Sequence, residues 1–256
     1  MAVRIERDGG VAVVTMSRPE ALNAFNTEQL EALRDAVAEV AADKSVRCAI
    51  LTGEGRAFAA GADIKEMAAK SAQEGLAFGQ LGHGIGLAIN AAPQPWIAAI
   101  NGHALGGGCE IALACDIRLA SEAATLGQPE VGLGILPGWG ATQRLTRLVG
   151  PGIASELIFT GRRLKAAEAR ELGLVNAVYP AEELMDRARE MAATIAANSP
   201  AAVAASKRMI GLALDGPLAH GLAREAETFA LSFGTADQRE GMAAFVEKRA
   251  AAFTGE

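Results

Sequence analysis

Three segments of this sequence combine small residues with carboxylates in a pattern suited to chemistry beside a carbonyl group. They are RAFAAGADIKEM (Arg56–Met67), NGHALGGGCEIALACDIRLA (Asn101–Ala120) and GQPEVGLGILPGWGATQRL (Gly127–Leu145). The first two place small residues where a backbone N–H could approach a ligand oxygen. The last two each place a carboxylate beside such a turn. Two backbone donors and two carboxylates are what chemistry next to a thioester carbonyl requires.

The glycine cluster Gly106–Gly108 predicts one of the backbone donors. Glycine permits a positive φ and removes the β-carbon from the path of an approaching ligand. The helix that follows directs free N–H groups and the positive end of its dipole at this point. A turn needed only for tight packing between a strand and a helix explains the glycines as well, so the motif alone leaves both interpretations open.

The segment Ala59–Asp63 is the matching run of small residues. On its own it is equally well a simple turn, with Asp63 capping a helix that begins near Ile64. Paired with the glycine cluster, it becomes half of a two-donor oxyanion hole.

Two glutamates are the candidate acid and base. Glu110 lies in the first turn of an apolar helix, where a carboxylate can simply stabilise the helix N-terminus. Glu130 follows Pro129 and precedes the apolar segment Val131–Ile135. Such surroundings would raise its pKa and favour the neutral acid, although an exposed glutamate in a turn is the alternative. Two carboxylates in different environments are a recurrent way to separate acid and base roles.

The composition limits the class of protein. The chain has 256 residues, 50% of them hydrophobic, with a net charge of -6, which disfavours a general nucleic-acid binder. The three cysteines lack C-x-x-C spacing and are expected to be reduced thiols. The N-terminal residues show no apolar signal-peptide core, and no apolar run is long enough to span a membrane. No metal site is expected, because the three histidines lack ligand spacing. We therefore expect a cytoplasmic protein.

Strand and helix patterns alternate over the first part of the chain and give way to helices in the last part. This predicts an α/β core over residues 1–195 and an α-helical C-terminal subdomain over residues 196–256. The predicted strands are Val11–Ser17, Arg47–Thr52, Trp96–Ile100 and Asp116–Ala120. The predicted helices are one beginning near Asn26, Ile64–Ala92 with breaks at its glycines, Gly107–Cys115, Ala141–Leu148, Ile153–Phe159, Ala166–Leu172, Ala181–Ala197, Pro200–Leu214, Pro217–Phe233 and Asp237–Ala251.

These motifs resemble the crotonase (enoyl-CoA hydratase/isomerase) superfamily, and within it the short-chain enoyl-CoA hydratases. The resemblance extends from RPEALNAF (Arg18–Phe25) through the three motifs and Ile158–Val178 to DQREGMAAFVEKR (Asp237–Arg249). It implies a crotonase-like spiral of ββα units with an α-helical C-terminal trimerisation region. It also implies a trimer or a dimer of trimers, that is, a hexamer.

The resemblance also implies roles for individual residues. The oxyanion donors would be the N–H groups of Ala62 and Gly107, and Glu110 and Glu130 would be the catalytic pair. Further positions match those that bind CoA, and these are Leu22, Ala24, Ala60, Asp63, Ile64 and Lys65, with Phe245 and Lys248 reaching the CoA of a neighbouring subunit. For the two lysines, a solvated helix face is the alternative.

The implied reaction is reversible syn hydration of a 2-trans-enoyl-CoA, with no cofactor, because CoA enters as part of the substrate. The alternatives are isomerisation, decarboxylation or thioester hydrolysis on the same scaffold, or binding of acyl-CoA without turnover. The sequence departs from the family pattern at Ala141, where a glycine is common, and at His103, where an aromatic residue is common. Both are expected to reshape the acyl pocket without touching the acid or the base.

Overall fold

Residues 2–256, described by a computed structural model, form two β-sheets with helices packed around them. The strands of the six-stranded sheet are, in spatial order, β1 (Val3–Asp8), β2 (Val11–Met16), β3 (Cys48–Gly53), β5 (Trp96–Ile100), β7 (Ile117–Ser121) and β10 (Ala177–Tyr179). Those of the four-stranded sheet are β4 (Ala57–Ala59), β6 (His103–Leu105), β8 (Thr125–Gly127) and β9 (Arg163–Lys165). Only the pairs β1·β2 and β8·β9 are antiparallel within this part of the chain.

The helices separate successive pairs of strands and then fill the C-terminal part of the chain. They are α1 (Thr27–Ala42), α2 (Ile64–Met67), α3 (Ala72–Ala91), α4 (Gly107–Ala114), α5 (Ala141–Thr160), α6 (Ala166–Glu171), α7 (Leu184–Ala196), α8 (Pro200–Leu212), α9 (Leu218–Ser232) and α10 (Ala236–Glu247).

Two strands and a helix repeat along the core. In three successive repeats the first strand (β3, β5, β7) joins the six-stranded sheet and the second (β4, β6, β8) joins the four-stranded sheet. Each pair then leads into a helix, and equivalent strands of successive repeats lie beside each other in parallel. The predicted α/β class and the spiral of ββα units are confirmed. The repeat brings the ends of β4, β6 and β8, each of which belongs to one of the three motifs, to one region of the smaller sheet.

The first helix shows how the sequence specifies these elements. Asn26 caps α1 by accepting a hydrogen bond from the Gln29 N–H, as an N-cap side chain does. Leu30, Leu33 and Val37 then recur at helical spacing and are completely buried in the main core. The helix predicted near Asn26 is therefore confirmed, and it covers one face of the six-stranded sheet.

The region predicted as one glycine-weakened helix differs from the prediction. It divides into α2 and α3 at residues 68–71, where Ser71 and Glu74 form a capping box. The predicted breaks at the glycines are wrong, because α3 runs unbroken through all of them. Gly82 and Gly86 instead give space to the Trp139 ring and the Arg144 guanidinium. The glycines of α3 therefore serve contacts from a distant segment.

Elements elsewhere in the chain also differ from the prediction. Strand β1 was not predicted, because its polar, mostly exposed residues lack a strong apolar alternation. The two helices predicted over 141–148 and 153–159 are joined as α5, which is kinked at Gly150 before Pro151. Helix α7 packs Leu184 and neighbouring alanines against the six-stranded sheet.

The last three helices carry many exposed apolar side chains, including Leu231, Phe245 and Val246.

The division into domains at residue 195 stays a prediction. Within residues 2–256, no helix combines the length and the apolar character that crossing a bilayer requires.

Candidate active site

The N-terminus of α4 forms one face of the site. Gly106 takes a left-handed φ of 51°, and Gly107 is the first residue of the helix. The N–H of a first helical residue has no partner within its own helix. In the part of the chain that the structure describes, the Gly107 N–H donates to no backbone or side-chain acceptor. It is therefore free to bind a ligand oxygen.

The second turn contains Ala62 and lies beside the first. A parallel bridge pairs Phe25 with Ala62, and its bonds run from Phe25 N to Gly61 O and from Asp63 N to Phe25 O, both 2.8 Å. This bridge does not use the Ala62 N–H. A β-carbon on Gly106 would lie 3.8 Å from the Cα of Gly61, so the two turns are in contact. The two predicted oxyanion donors are brought together.

Glu110 is buried below these turns, with 2% of its surface exposed. Its Oε1 accepts hydrogen bonds from the backbone N–H groups of Trp139 (2.7 Å) and Ala141 (2.9 Å). Glu110 therefore accepts hydrogen bonds from a distant loop and not from the N–H groups of its own helix. Burial raises its pKa above the usual value, while the donors at Ala141, Trp139 and Gly140 and the charge of Arg144 oppose the rise. Burial outweighs these groups, so they limit the rise in the pKa of Glu110 without reversing it.

Glu130 approaches the site from the other side. It begins a 3-10 turn over Glu130–Leu133 and is 8% exposed, which excludes an exposed turn glutamate. A β-carbon on Gly106 would lie 3.0 Å from its Oε1, so this carboxyl borders the glycine turn. Burial, assisted by the charge of Glu110, raises the pKa of Glu130 to about 7. Near neutral pH the group is thus often a neutral acid, as the sequence predicts.

Gln128 positions the Glu130 carboxyl. Its side chain is 1% exposed, and with the amide nitrogen turned toward Glu130 it donates to Oε1 at 3.0 Å and to Oε2 at 3.3 Å. The amide oxygen then faces Cys109, whose pKa burial raises to about 12, so that its thiol is a neutral donor. The Gln128 amide therefore lies between the Cys109 thiol and the Glu130 carboxyl and donates to the carboxyl.

Trp139 closes the apolar side of the site. Its indole lies against Gly107 and Gly82, and a β-carbon on either glycine would overlap the ring. The ring centroid is 5.6 Å from that of Phe25 and 5.4 Å from that of Phe78. Trp139 thus packs its ring beside the free N–H of Gly107 and donates its backbone N–H to Glu110.

The expectation for Ala141 is partly wrong. Ala141 touches the candidate base, because its backbone N–H donates to Glu110. The contact depends on the backbone and not on the side chain, so comparing alanine with glycine could not reveal it. His103 is half-buried in β6, where its Nδ1 lies 2.8 Å from the Thr125 hydroxyl. Neither this contact nor any other tests its predicted influence on an acyl pocket.

The positions matched to CoA binding fall into two groups. Leu22 adopts a left-handed φ of 53° and accepts a hydrogen bond from the Ala60 N–H (3.0 Å), which joins these two segments next to the Ala62 turn. Ala24 accepts a hydrogen bond from Arg18, which also pairs with Asp63 at 2.9 Å. The carboxylate of Asp63 caps α2, which supports the capping role left open by the sequence.

Ile64 and Lys65 follow on the exposed surface of α2. Phe245 is 86% exposed on α10, and Lys248 ends that helix with a left-handed φ of 57°. Their proposed contacts with CoA stay predictions. Among residues 2–256, the histidine, cysteine and acidic side chains form no group of three that could hold a metal ion.

Sequence reasoning missed Gln128, Trp139 and Arg144. All three lie inside quoted motifs, but their importance comes from contacts with residues far away in the sequence. The many glycines of α3 are the one signal that the sequence offers, and local propensity interprets them as weakening the helix.

The two-sheet spiral, with paired carboxylates beside two backbone donors, defines a protein of the crotonase fold. The chain belongs to the enoyl-CoA hydratase/isomerase family, whose sequence profile matches residues 6–256. It is 50% identical to the short-chain-enoyl-CoA hydratase of Clostridium acetobutylicum, with 96% of this chain and 95% of that protein covered. It is 46% identical to the crotonyl-CoA hydratase of Syntrophomonas wolfei, with 97% and 96% covered.

Solved structures agree with the sequence comparison. The crystal structure of an enoyl-CoA hydratase from Bacillus anthracis superposes with a TM-score of 0.97 at 40% identity, covering 100% of both chains. The fold predicted from the family resemblance is thereby confirmed over the whole chain.

Proposed function

We propose that this protein is an enoyl-CoA hydratase that adds water reversibly, with syn stereochemistry, to a 2-trans-enoyl-CoA and forms a 3-hydroxyacyl-CoA. Membership of the family and the names of relatives at 46–50% identity support this proposal. The observation that carries it is the pair of free N–H groups at Ala62 and Gly107 beside two buried carboxylates.

In this proposal the thioester oxygen accepts hydrogen bonds from Ala62 N and Gly107 N. Hydration of a conjugated thioester moves negative charge onto that oxygen as C3 is attacked. Fixed donors aimed at a developing oxyanion lower the barrier, and loss of one such donor typically costs about 10²–10³-fold in rate. The N-terminal end of α4 adds the favourable end of a helix dipole.

Glu110 is the proposed base and Glu130 the proposed acid. Glu110, whose ionised form accepts hydrogen bonds from the backbone at Trp139 and Ala141, orients a water and takes its proton as the oxygen bonds to C3. Glu130, with a pKa of about 7, delivers its proton to C2. After one turnover Glu110 carries a proton and Glu130 has lost one, and exchange with solvent restores both. Each transfer contributes about 10²–10⁴-fold to rate enhancements of this kind.

The proposed reaction requires no metal or redox cofactor, because the thioester itself activates C3 and CoA belongs to the substrate. Leu22, Ala24 and Ala60 would line the CoA site through their backbone, continuing through Asp63, Ile64 and Lys65. Phe245 and Lys248 would contact the CoA bound to a neighbouring subunit.

We further propose assembly as a trimer or a dimer of trimers. Large apolar side chains of α9 and α10 are exposed on the single chain, among them Phe229 (66%), Leu231 (76%) and Val246 (79%). A surface this apolar is typical of an interface between subunits. Sedimentation equilibrium of the purified protein separates the two assemblies.

We also propose a cytoplasmic location. The three cysteines are free thiols, which fits this location.

The experiment that tests the function mixes purified protein with crotonyl-CoA and follows loss of the conjugated enoyl-thioester absorbance, with identification of the product. Formation of 3-hydroxybutyryl-CoA supports the proposal. A shifted double bond, a free acid or a decarboxylated product would instead identify another reaction on this scaffold. Binding without any product, repeated over a panel of chain lengths, would identify an acyl-CoA binding protein.

A further inference from the structure

Arg144 is a half-buried cation whose position the proposed chemistry does not explain. It lies in the first turn of α5, and its Nη1 donates to the Trp139 carbonyl at 3.0 Å. Its Nη2 donates to Asn90 Oδ1 at 3.2 Å. Within residues 2–256 no carboxylate oxygen lies within ion-pair distance of this guanidinium. Removing a guanidinium even partly from water without a paired carboxylate costs free energy, so the contacts of Arg144 need a reason.

Two glycines make room for this side chain. A β-carbon on Gly86 of α3 would lie 2.9 Å from the Arg144 Nη2. A β-carbon on Gly140, which has a φ of 119°, would overlap Nη1. The guanidinium is therefore enclosed between a helix and a loop that both lack side chains at the contact.

The groups that Arg144 touches lead to Glu110 by two routes. Its hydrogen bond to the Trp139 carbonyl holds the loop of residues 139–141, whose N–H groups donate to Glu110. Its partner Asn90 donates in turn to the Ala114 carbonyl at 2.9 Å, at the end of the helix that carries Glu110. The guanidinium thus connects the donor loop to the helix of the acceptor.

We propose that Arg144 is a positioning residue of this site, which fixes the 139–141 loop against α4 and keeps Glu110 oriented as the base. The inference concerns a residue outside the catalytic set, and it rests on the proposed function. Arg144 touches no reacting atom in this account and acts only through Glu110.

The charges around Glu110 agree with this role. Burial raises the pKa of Glu110, and the charge of Arg144 on α5 is among the groups that oppose this rise. Glu130, on the 3-10 turn, and Cys109, on α4, also interact electrostatically with Glu110. Arg144 in turn interacts with Cys115 and Arg147. A guanidinium stays protonated in proteins, so it supplies a constant positive charge at this place.

The test compares Arg144→Met and Arg144→Lys with Arg147→Met, a matched change at an exposed arginine one turn further along α5. For Arg144→Met we expect kcat on crotonyl-CoA to fall about 10–100-fold, since small displacements of catalytic groups cost this much. KM should change little. The acid limb of the kcat profile should move to higher pH, because Glu110 loses a stabilising charge.

Arg144→Lys retains the charge but not the two-pronged contact. In this variant the acid limb of the kcat–pH profile should stay near that of the wild type, while kcat still falls several-fold. This variant keeps the inference testable if Arg144→Met fails to fold. Arg147→Met should match the wild type in kcat and in the position of the acid limb. Wild-type kcat and an unmoved acid limb in both Arg144 variants would overturn the inference, even if both variants were less stable.

A second readout separates this inference from the proposed function. Carboxyl ¹³C NMR measures the pKa of Glu110 in the wild type and in Arg144→Met without any turnover. A higher pKa in the variant supports the positioning role even if the wild type does not hydrate crotonyl-CoA. An unchanged pKa contradicts the role, whatever the enzyme catalyses.

Discussion

The backbone N–H of Trp139 donates to Glu110 Oε1 at 2.7 Å, although 29 positions separate the two residues in the sequence. The same tryptophan packs its ring on Gly107, the proposed oxyanion donor. Orientation of the base and shape of the oxyanion hole therefore depend on one residue. Changes that move Trp139 should affect catalysis even when they lie on another element.

Gly82 on α3 offers such a change. In Gly82→Ala the new β-carbon overlaps the Trp139 ring, so the ring must shift, and this shift moves the Trp139 backbone N–H away from Glu110. We expect kcat on crotonyl-CoA to fall at least about 10-fold, because sub-ångström to ångström displacements of catalytic groups are costly. Steady-state kinetics at neutral pH measures the loss.

Gly84→Ala is the matched control on the same helix. A β-carbon there meets no atom within 4 Å, and alanine favours a helix over glycine by about 1 kcal/mol. This variant should therefore keep full activity and melt at a higher temperature. Equal kinetics for the two variants would show that Trp139 does not control the position of the base.

The raised pKa of Glu130 should make stability depend on pH. Folding moves this pKa from its usual 4.5 to about 7, so the folded state keeps a proton that the unfolded chain loses. This group therefore contributes stability below pH 4.5, which is lost as pH rises toward 7. The side chain in Glu130→Gln does not titrate. As pH rises from 4.5 to 7, the free energy of unfolding of this variant should therefore increase relative to that of the wild type, by up to about 3 kcal/mol.

Urea unfolding of both proteins at pH 5 and pH 8 measures this difference. We expect the advantage of Glu130→Gln to be clearly larger at pH 8 than at pH 5. The same stability difference at both values would mean that Glu130 titrates normally and is ionised in the folded protein.

Gln128 should tune the same carboxyl. Gln128→Met keeps the buried volume but removes the amide that donates to Glu130. Loss of a donor to the ionised form raises a carboxyl pKa further, so the alkaline limb of the kcat/KM profile should move to higher pH. The maximal rate should fall about 10-fold, because the proton donor is less well oriented.

Gln143→Met changes an exposed glutamine of α5 and serves as the control. It should leave the rate and both limbs of the profile as they are in the wild type. An alkaline limb that stays in place in Gln128→Met would mean that Gln128 does not hydrogen-bond to the ionised carboxyl.

The sequence predicts much of this architecture because its strongest signals are local. The glycine run before α4 and the helix start near Asn26 are signals that act within one or two turns of chain, and both predicted helices were confirmed. Glu110 and Glu130 were recognisable because a carboxylate in an apolar segment is unusual. Such patterns depend on the neighbouring residues, which the sequence displays directly.

The remaining features depend on contacts between distant segments. No local pattern shows that the Trp139 and Ala141 N–H groups meet Glu110, since every residue except proline has such a donor. The glycines of α3 illustrate the same limit. Local propensity predicted breaks in the helix, but α3 continues through its glycines. Gly82 and Gly86 are explained by packing against Trp139 and Arg144.

The division of roles between the two carboxylates is the central claim, and turnover of crotonyl-CoA by Glu130→Gln tests it most directly. The variant should fold and bind acyl-CoA with nearly the affinity of the wild type, because the oxyanion donors are untouched. Its hydration rate should fall by about 10²–10⁴-fold, since glutamine cannot deliver the proton to C2. Hydration at close to the wild-type rate would contradict the assignment of Glu130 as the acid.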